Sequence, residues 1–199
     1  SMPIGAYSEK HIMPENKLVP VPDGVSDEVA SCVTLKGITA EYLLHRAYPL
    51  KKGDKVLYHA AAGALGQILC PWANSIGAEI IGTVGSKEKE EIAKKNGCHH
   101  VINYTDKDFV EEVEKIVGKN GIDVVYDGVG LKTFEGSIEV LKIRGMMVAF
   151  GNASGYVDTI DVKKHINAKG LFFTRPSIAH YTIEREELLE SAKKVFNAV

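Results

Sequence analysis

Short apolar runs alternate with amphipathic segments along most of the chain. Six apolar runs predict β-strands, at residues 55–59, 79–84, 101–103, 122–127, 145–150 and 170–174. Apolar positions at helical spacing predict helices over 64–76, 87–96, 108–117, 133–141 and 185–198. Strands that alternate with helices form parallel sheets whose crossovers cover both faces. The pattern therefore predicts an α/β fold, a doubly wound six-stranded parallel sheet in the order 3-2-1-4-5-6 with helices on both faces.

The first fifty residues do not show this alternation. Residues 17–24 are rich in proline and predict an extended linker. Residues 26–33 and 39–47 predict two short helices. We therefore expect 1–25 to be a connecting segment and 26–199 to form the α/β domain.

Composition narrows the class of protein. The 24 basic and 26 acidic residues give a net charge of −2, which argues against nucleic-acid binding through a large positive field. Since no run approaches about 18 consecutive apolar residues, we expect no membrane span, and the N-terminus has no signal-peptide pattern. The three widely spaced cysteines favour a reducing compartment over a disulfide framework, so the expected location is the cytoplasm.

A glycine-containing turn follows the first predicted strand. Ala61, Gly63 and Gly66 are spaced like the G-x-G-x-x-G pattern and lie between a strand and a helix, where that pattern indicates dinucleotide binding. Small residues let a pyrophosphate approach the backbone, and the helix N-terminus attracts the anion. The turn, which also contains Ala64 and Leu65, is therefore a candidate dinucleotide site.

The end of the second predicted strand bears on the choice of dinucleotide. NAD-selective sites usually place an acidic residue there to bind the ribose 2′-hydroxyl, but residues 83–86 contain none. Ser86 begins a helix, and Lys87 and Lys89 follow within one turn, an environment that suits a 2′-phosphate. The alternative is an ordinary helix cap followed by solvated charges. We favour NADP over NAD.

Six separated motifs strengthen this interpretation. They are LKGITAEYLL at 35–44, HAAAGALG at 59–66, IGTVGS at 81–86, VINY at 101–104, VYDGVG at 125–130 and FGNASG at 150–155. In order and spacing they resemble the quinone oxidoreductase family, the zeta-crystallin-like, zinc-free branch of the medium-chain dehydrogenases and reductases. One departure is Gly63-Ala-Leu-Gly66, where family members more often have Gly-Gly-Val-Gly.

The resemblance implies an enzyme that transfers a hydride from NADPH to a quinone, with this chain supplying the NADP(H)-binding domain. By itself the chain is expected to be inactive or weakly active. It implies that 61–66 hold the pyrophosphate and that Ser86 and Lys89 bind the 2′-phosphate. It also places Thr39 and Tyr42 near the nicotinamide and substrate. The further implied cofactor contacts are Gly85, Tyr104 near the adenosine, and Val129, Phe150, Gly151 and Asn152 along the nicotinamide half.

The resemblance also implies that the chain is part of a longer enzyme. Family members have an N-terminal catalytic domain to which the C-terminal segment returns. On that basis, residues 1–25 are expected to be the end of the catalytic domain and its linker. Residues 26–199 are expected to be the NADP-binding domain, without the return segment.

Several candidate residues have two interpretations. Tyr42 either orients or protonates the acceptor or is a packing residue on a helix, and His59 either contacts the cofactor or is a buried polar residue. Asp127 at a strand end is better explained as a turn cap than as a base. His99-His100 is expected on a solvated turn rather than in a metal site, and no metal is expected.

The expected partners are a small-molecule quinone or activated carbonyl compound and a second copy of the chain. The apolar strand at 170–174 would lie at the sheet edge, and exposed edges recruit partners, so we expect a homodimer through it. Alternative functions are a 2-alkenal or enoyl reductase, a non-catalytic NADPH-binding or crystallin-like protein, and an RNA-binding protein. The near-neutral charge disfavours the last of these.

Overall fold

A computed structural model describes residue 5 and residues 7–198 of the chain. Its centre is a six-stranded parallel sheet in the order β3-β2-β1-β4-β5-β6, which confirms the predicted topology. The strands are β1 (Lys55–His59), β2 (Glu79–Val84), β3 (His100–Asn103), β4 (Ile122–Asp127), β5 (Leu141–Ala149) and β6 (Phe172–Thr174). Because the order reverses beside β1, the loops after β1 and β4 meet at one crevice.

Helices connect the strands and cover both faces of the sheet. They are α1 (Asp27–Tyr42), α2 (Gly66–Ile76), α3 (Lys87–Lys95), α4 (Phe109–Val117), α5 (Phe134–Val140) and α6 (Arg185–Asn197). Side chains of Ser26, Ser86 and Asp108 cap the first, third and fourth helices, and Gly77 ends α2 with a φ of 93°. Among the described residues, no helix is long and apolar enough to cross a membrane.

Two core clusters, one on each face, result from the alternation of side chains along the central strands. From β1, Val56 and Tyr58 pack with α1 and α2, whereas Leu57 packs with α4 and α5. Nearly every residue of β1 and all of β4 are buried, as expected for parallel strands covered on both sides. The sheet is therefore a rigid support for the loops at its carboxyl edge.

The prediction of two short helices near the N-terminus was wrong. A single helix, α1, runs through Gly37 to Tyr42 and continues as a π-helical turn over Leu43–Ala47. Gly37 does not end the helix, because α6 packs directly against it: an added Cβ would lie 2.9 Å from Cγ2 of Val195. Tertiary contact thus outweighs the poor helix propensity of glycine.

Other boundaries differ by a few residues. β5 begins at Leu141 rather than 145, because Leu141 already pairs with Ile122 before an irregularity in the register. The last strand is limited to three residues, Phe172–Thr174, at the edge of the sheet beside β5. Helix α2 begins at Gly66 rather than at residue 64, because residues 60–65 form the preceding turn.

Candidate functional site

The turn between β1 and α2 is built by close backbone contacts. The N–H of Ala61 donates to the carbonyl of Thr83 at 3.0 Å, and the N–H of Gly63 donates to the carbonyl of Ala60 at 2.9 Å. An added Cβ on Gly66 would lie 2.7 Å from the carbonyl carbon of Ala61, so only glycine fits there. The helix therefore begins directly above the end of the strand.

Five backbone N–H groups of this turn and the first residue of α2 have no acceptor within the described part of the chain. They belong to Ala60, Ala62, Ala64, Leu65 and Gly66. Such groups at the start of a helix carry partial positive charge, and water or an anion satisfies them. Gly63 and Ala64 are exposed, so a ligand can reach the turn. The turn fits a diphosphate group.

The end of β2 places Gly85, Ser86 and Lys89 at the same edge of the sheet. The Ser86 hydroxyl accepts the N–H of Lys89 at 3.4 Å and so caps α3. Gly85 lies under Tyr104, whose hydroxyl oxygen would be 2.5 Å from an added Cβ, and this tyrosine is 49% exposed. Glu88 is the acidic residue beside this cap. Its own backbone N–H and the Ser86 hydroxyl lower the pKa of its carboxyl group.

His59 is a buried polar residue at the end of β1. Its Nδ1 lies 2.9 Å from Oγ1 of Thr83, and its Nε2 lies 3.0 Å from Oγ of Ser137. Because Ser137 donates its own proton to the carbonyl of Thr133, it accepts from Nε2, and Nδ1 accepts from Thr83. Burial lowers the pKa of His59. Both ring nitrogens are engaged within the core, which favours the packing interpretation.

Asp127 caps the turn after β4. Its Oδ1 accepts the N–H groups of Val129 at 2.7 Å and Gly130 at 2.9 Å, and its Oδ2 accepts the hydroxyl of Thr133 at 2.7 Å. With these three bonds, the carboxylate is an anchor for the turn and not a general base. This is the function that its position at a strand end predicts.

The loops after β4 and β5 lie against each other. An added Cβ on Gly151 would lie 2.7 Å from Cα of Gly128, and one on Gly130 would lie 3.1 Å from Cα of Asn152. Phe150 stacks on Tyr58 with ring centroids 6.3 Å apart. Glycines thus bring Val129, Phe150, Gly151 and Asn152 together at the carboxyl edge of the sheet.

An open cleft of about 460 Å³ lies beside this loop pair, and we call it the Tyr42 cleft. It is lined by Thr39, Tyr42, Phe150, Arg175, Pro176, Ser177, Ile178 and His180. The Tyr42 ring stacks on Tyr181 at 4.5 Å and is 2% exposed. Burial and the neighbouring Tyr181 raise the pKa of Tyr42 to about 12, while the charge of Arg175 opposes them.

A second cavity of about 370 Å³, here the Asn152 cavity, opens beside the first. Its lining includes Gly151, Asn152, Tyr156, Phe173 and Arg175. Arg175 lines both spaces, and the sequence analysis missed it. The signal that points to it is its position directly after a parallel strand, at the edge where the other candidate residues lie.

The structure brings most predicted cofactor residues to one edge. Each follows the carboxyl end of a strand: 61–66 after β1, 85–89 after β2, Tyr104 after β3, Val129 after β4 and 150–152 after β5. Thr39 and Tyr42 approach from the end of α1. His99 lies exposed in a bend, as expected, and accepts the N–H of Ile80. His100 differs from the expected turn, because it begins β3; its side chain is 41% exposed and lies 3.2 Å from Glu79.

The sheet order and the glycine turn define a doubly wound α/β protein of the Rossmann type. A family profile described as zinc-binding dehydrogenase matches residues 64–196. The chain belongs to this family.

Two curated relatives and one solved structure illustrate the similarity. The chain is 48% identical over 200 residues to 2-haloacrylate reductase of Burkholderia sp and 43% identical over 197 residues to quinone oxidoreductase 1 of Escherichia coli (strain K12). These matches cover 99% and 98% of this chain but only 60% of each relative. The crystal structure of Escherichia coli quinone oxidoreductase complexed with NADPH matches with a TM-score of 0.85 and 42% identity, covering 90% of this chain and 55% of that one.

The family description implies zinc, but the described residues do not fit a zinc ion. Within residue 5 and 7–198, no three His, Cys, Asp or Glu side chains lie together as metal ligands. Cys70 and Cys98 are buried in the core beside α2.

Proposed function

We propose that this chain binds NADP(H) across the carboxyl edge of its sheet. The observation that carries the proposal is the turn over 61–66, whose unsatisfied N–H groups and glycine contact fit a diphosphate. Ser86, with Lys89 beside it, holds the 2′-phosphate, and Tyr104 covers the adenosine over Gly85. The NADPH complex of the Escherichia coli relative supports this choice.

The nicotinamide half lies along the loops after β4 and β5. Val129, Phe150, Gly151 and Asn152 border it, and Thr39 and Tyr42 close the side toward the acceptor. When bound, NADPH supplies a hydride; the protein orients the acceptor and limits its contact with water. A quinone that takes up one hydride and one proton becomes a hydroquinone, and NADP⁺ remains.

Tyr42 is the proposed group that orients or protonates the acceptor. With its pKa raised to about 12 it stays protonated at neutral pH and can donate a hydrogen bond or a proton to an oxygen atom. In the full-length protein, replacing Tyr42 by Phe is therefore expected to slow turnover by about tenfold or more while NADPH binding is retained. Equal turnover by Tyr42→Phe would assign the residue to packing.

The acceptor is a quinone or another activated carbonyl or conjugated compound. The names of the relatives support a quinone and a conjugated compound, since one relative is a quinone oxidoreductase and another is a 2-haloacrylate reductase. A non-catalytic NADPH-binding role is the second candidate. Turnover of an acceptor by the full-length protein separates these functions, because a protein that only binds NADPH does not consume it.

Calorimetric titration of the chain with NADPH and with NADH tests the proposal directly. We expect NADPH to bind more tightly, with the difference reduced in Lys89→Ala. No binding of either nucleotide contradicts the proposal. Equal binding of both contradicts the choice of NADP over NAD but leaves the dinucleotide site intact.

We also propose that β6 pairs with a second copy of the chain. It is the last strand at one edge of the sheet, and Phe172 there is 57% exposed. Light scattering is expected to give a dimer for the wild type and a monomer for Phe172→Lys. A wild-type mass that stays monomeric at every concentration contradicts this assembly.

A further inference from the structure

Ala60 is a strained residue between β1 and the turn over 61–66. Its backbone is left-handed, with a φ of 61°, a conformation that residues other than glycine keep only where the surrounding structure enforces it. Thr83 of β2 holds both flanks of Ala60. Its hydroxyl lies 2.9 Å from Nδ1 of His59, and its carbonyl accepts the N–H of Ala61 at 3.0 Å. Contacts with the neighbouring strand therefore set the start of this turn.

The imidazole of His59 extends these contacts to α5 and β4. Its Nε2 lies 3.0 Å from Oγ of Ser137, whose hydroxyl donates to the carbonyl of Thr133 at 2.7 Å. The hydroxyl of Thr133 donates to Oδ2 of Asp127 at 2.7 Å, and Oδ1 of Asp127 accepts two N–H groups of the loop after β4. We call Thr83, His59, Ser137, Thr133 and Asp127 the His59 network. It joins the loops after β1 and β4.

The His59 network is closed to solvent. Four of its side chains are at most 1% exposed, and Thr133 is 8% exposed. Phe109 of α4 packs edge-on against the His59 ring, with centroids 5.1 Å apart. Because a buried polar group without a partner is costly, the ring cannot turn away from either hydroxyl. A fully paired network of this kind fixes one arrangement of the groups that it joins.

We propose that His59 is a positioning residue for NADP(H), which sets the turn over 61–66 and the loop after β4 in the arrangement that binds the diphosphate and the nicotinamide. The inference rests on the proposed function and names a residue on which that site depends. His59 is too deeply buried to touch the cofactor, so it acts through the two loops. Loops that are ordered before binding hold a ligand more tightly, because less freedom is lost when it binds.

Two variants of Thr83 distinguish positioning from packing. Thr83→Val keeps nearly the same shape but loses the hydroxyl that donates to His59, whereas Thr83→Ser keeps the hydroxyl and loses a methyl group. Calorimetric titration of the chain with NADP⁺ is expected to show an affinity reduced about tenfold in Thr83→Val and within about twofold of the wild type in Thr83→Ser. A packing role gives the reverse order, because serine leaves the larger gap.

Adenosine 2′-monophosphate is the control ligand. It carries the adenosine and the 2′-phosphate but neither the diphosphate nor the nicotinamide, so its binding does not use the two loops that His59 positions. NMR titration is expected to give affinities within about twofold of each other for the wild type and both variants. If Thr83→Val weakens this ligand as much as NADP⁺, the substitution damages the whole domain and the inference is overturned.

Ser137→Ala removes the acceptor at the other ring nitrogen and provides an independent test if unfolding curves show that Thr83→Val does not fold. Since both substitutions act through one imidazole, the loss of NADP⁺ affinity in the double variant should be smaller than the product of the two single losses. Losses that multiply, or wild-type affinity in both single variants, would overturn the inference. Absent NADP⁺ binding in the wild type is a different outcome, because it contradicts the proposed function and removes the site that His59 would position.

Discussion

The backbone of Gly66 lies against the carbonyl group of Ala61, so close that an added Cβ would lie 2.7 Å from the carbonyl carbon. The obstacle is main chain, which cannot rotate away as a flexible side chain would. This contact sets the start of α2 above the end of β1. It therefore links the stability of the domain to the geometry of the turn over 61–66, the proposed diphosphate site.

Gly66→Ala is expected to lower the free energy of unfolding by about 1–3 kcal/mol and to abolish measurable NADPH binding. The cause is the shift of α2 that the extra methyl group demands. Urea unfolding and calorimetry measure the two effects. Gly63→Ala is the matched control for stability, because its Cβ would lie 3.1 Å from the nearest atom, the Ala60 oxygen, so a smaller loss is expected. Wild-type stability in Gly66→Ala would contradict the structure of the turn.

The first turn of α3 is expected to control the choice of nucleotide. Lys87→Ala and Lys89→Ala should each weaken NADPH binding by about fivefold to tenfold and NADH binding by less than about twofold, because only NADPH carries the 2′-phosphate. Lys95→Ala, at the other end of the helix, is the control and should change neither. Equal losses for both nucleotides would defeat the assignment.

Glu88 is expected to weaken NADPH binding, whereas Lys87 and Lys89 strengthen it. The Ser86 hydroxyl helps to lower the pKa of Glu88, so its carboxylate is charged beside the cap and repels an incoming phosphate. Glu88→Gln is therefore expected to raise NADPH affinity by about twofold to threefold, with NADH affinity unchanged. A fall in NADPH affinity would show that the phosphate does not approach this cap.

His59 should make stability depend on pH. Since burial keeps its pKa in the folded state below the ordinary value of about 6.5, the unfolded chain takes up a proton first as the pH falls. Stability is thus complete above about pH 6.5 and declines below it, with a slope of up to about 1.4 kcal/mol per pH unit. His45, whose pKa burial also lowers, adds to the slope. In His59→Gln the slope should become shallower between pH 6.5 and 5; identical slopes would refute this account.

Glu41 joins α1 to α6. Its buried carboxylate accepts bonds from Ser191 at 2.7 Å and Lys194 at 3.0 Å and pairs with Arg46 at 3.0 Å. Burial by itself would raise the pKa of Glu41, but these hydrogen bonds and charges hold it below its ordinary value. Its contribution to stability is therefore present above about pH 4.5 and is lost as the pH falls below that value.

Glu41→Ala is expected to destabilise the domain by about 3 kcal/mol, because it leaves buried donors and charge without a partner. Glu190→Ala is the matched control: it removes an exposed carboxylate 3.1 Å from the same Lys194 and should cost less than about 1 kcal/mol. Urea unfolding at pH 7 measures both. Similar losses for the two variants would contradict the buried role of Glu41.

The sequence determined the sheet and its order, because alternation of apolar strands with amphipathic helices leaves few topologies. It also located the turn that we propose binds the diphosphate, since Gly66 and the strand before it are local features. The same holds for Asp127, whose position at a strand end predicts the turn cap that the structure has. These conclusions depend on residues that are neighbours in the chain.

Only the tertiary structure decided the rest. The sequence predicted two helices over 26–33 and 39–47, whereas α1 is continuous because Val195 of α6 packs against Gly37. His59 could be assigned to the core only when Thr83 and Ser137 were found at its two nitrogens. Arg175 was identified as a residue of the candidate site only from the structure, because packing places the end of β6 beside Tyr42 and Phe150. Contacts between distant residues depend on how helices pack on the sheet, and a linear pattern of apolar and polar positions does not specify that packing.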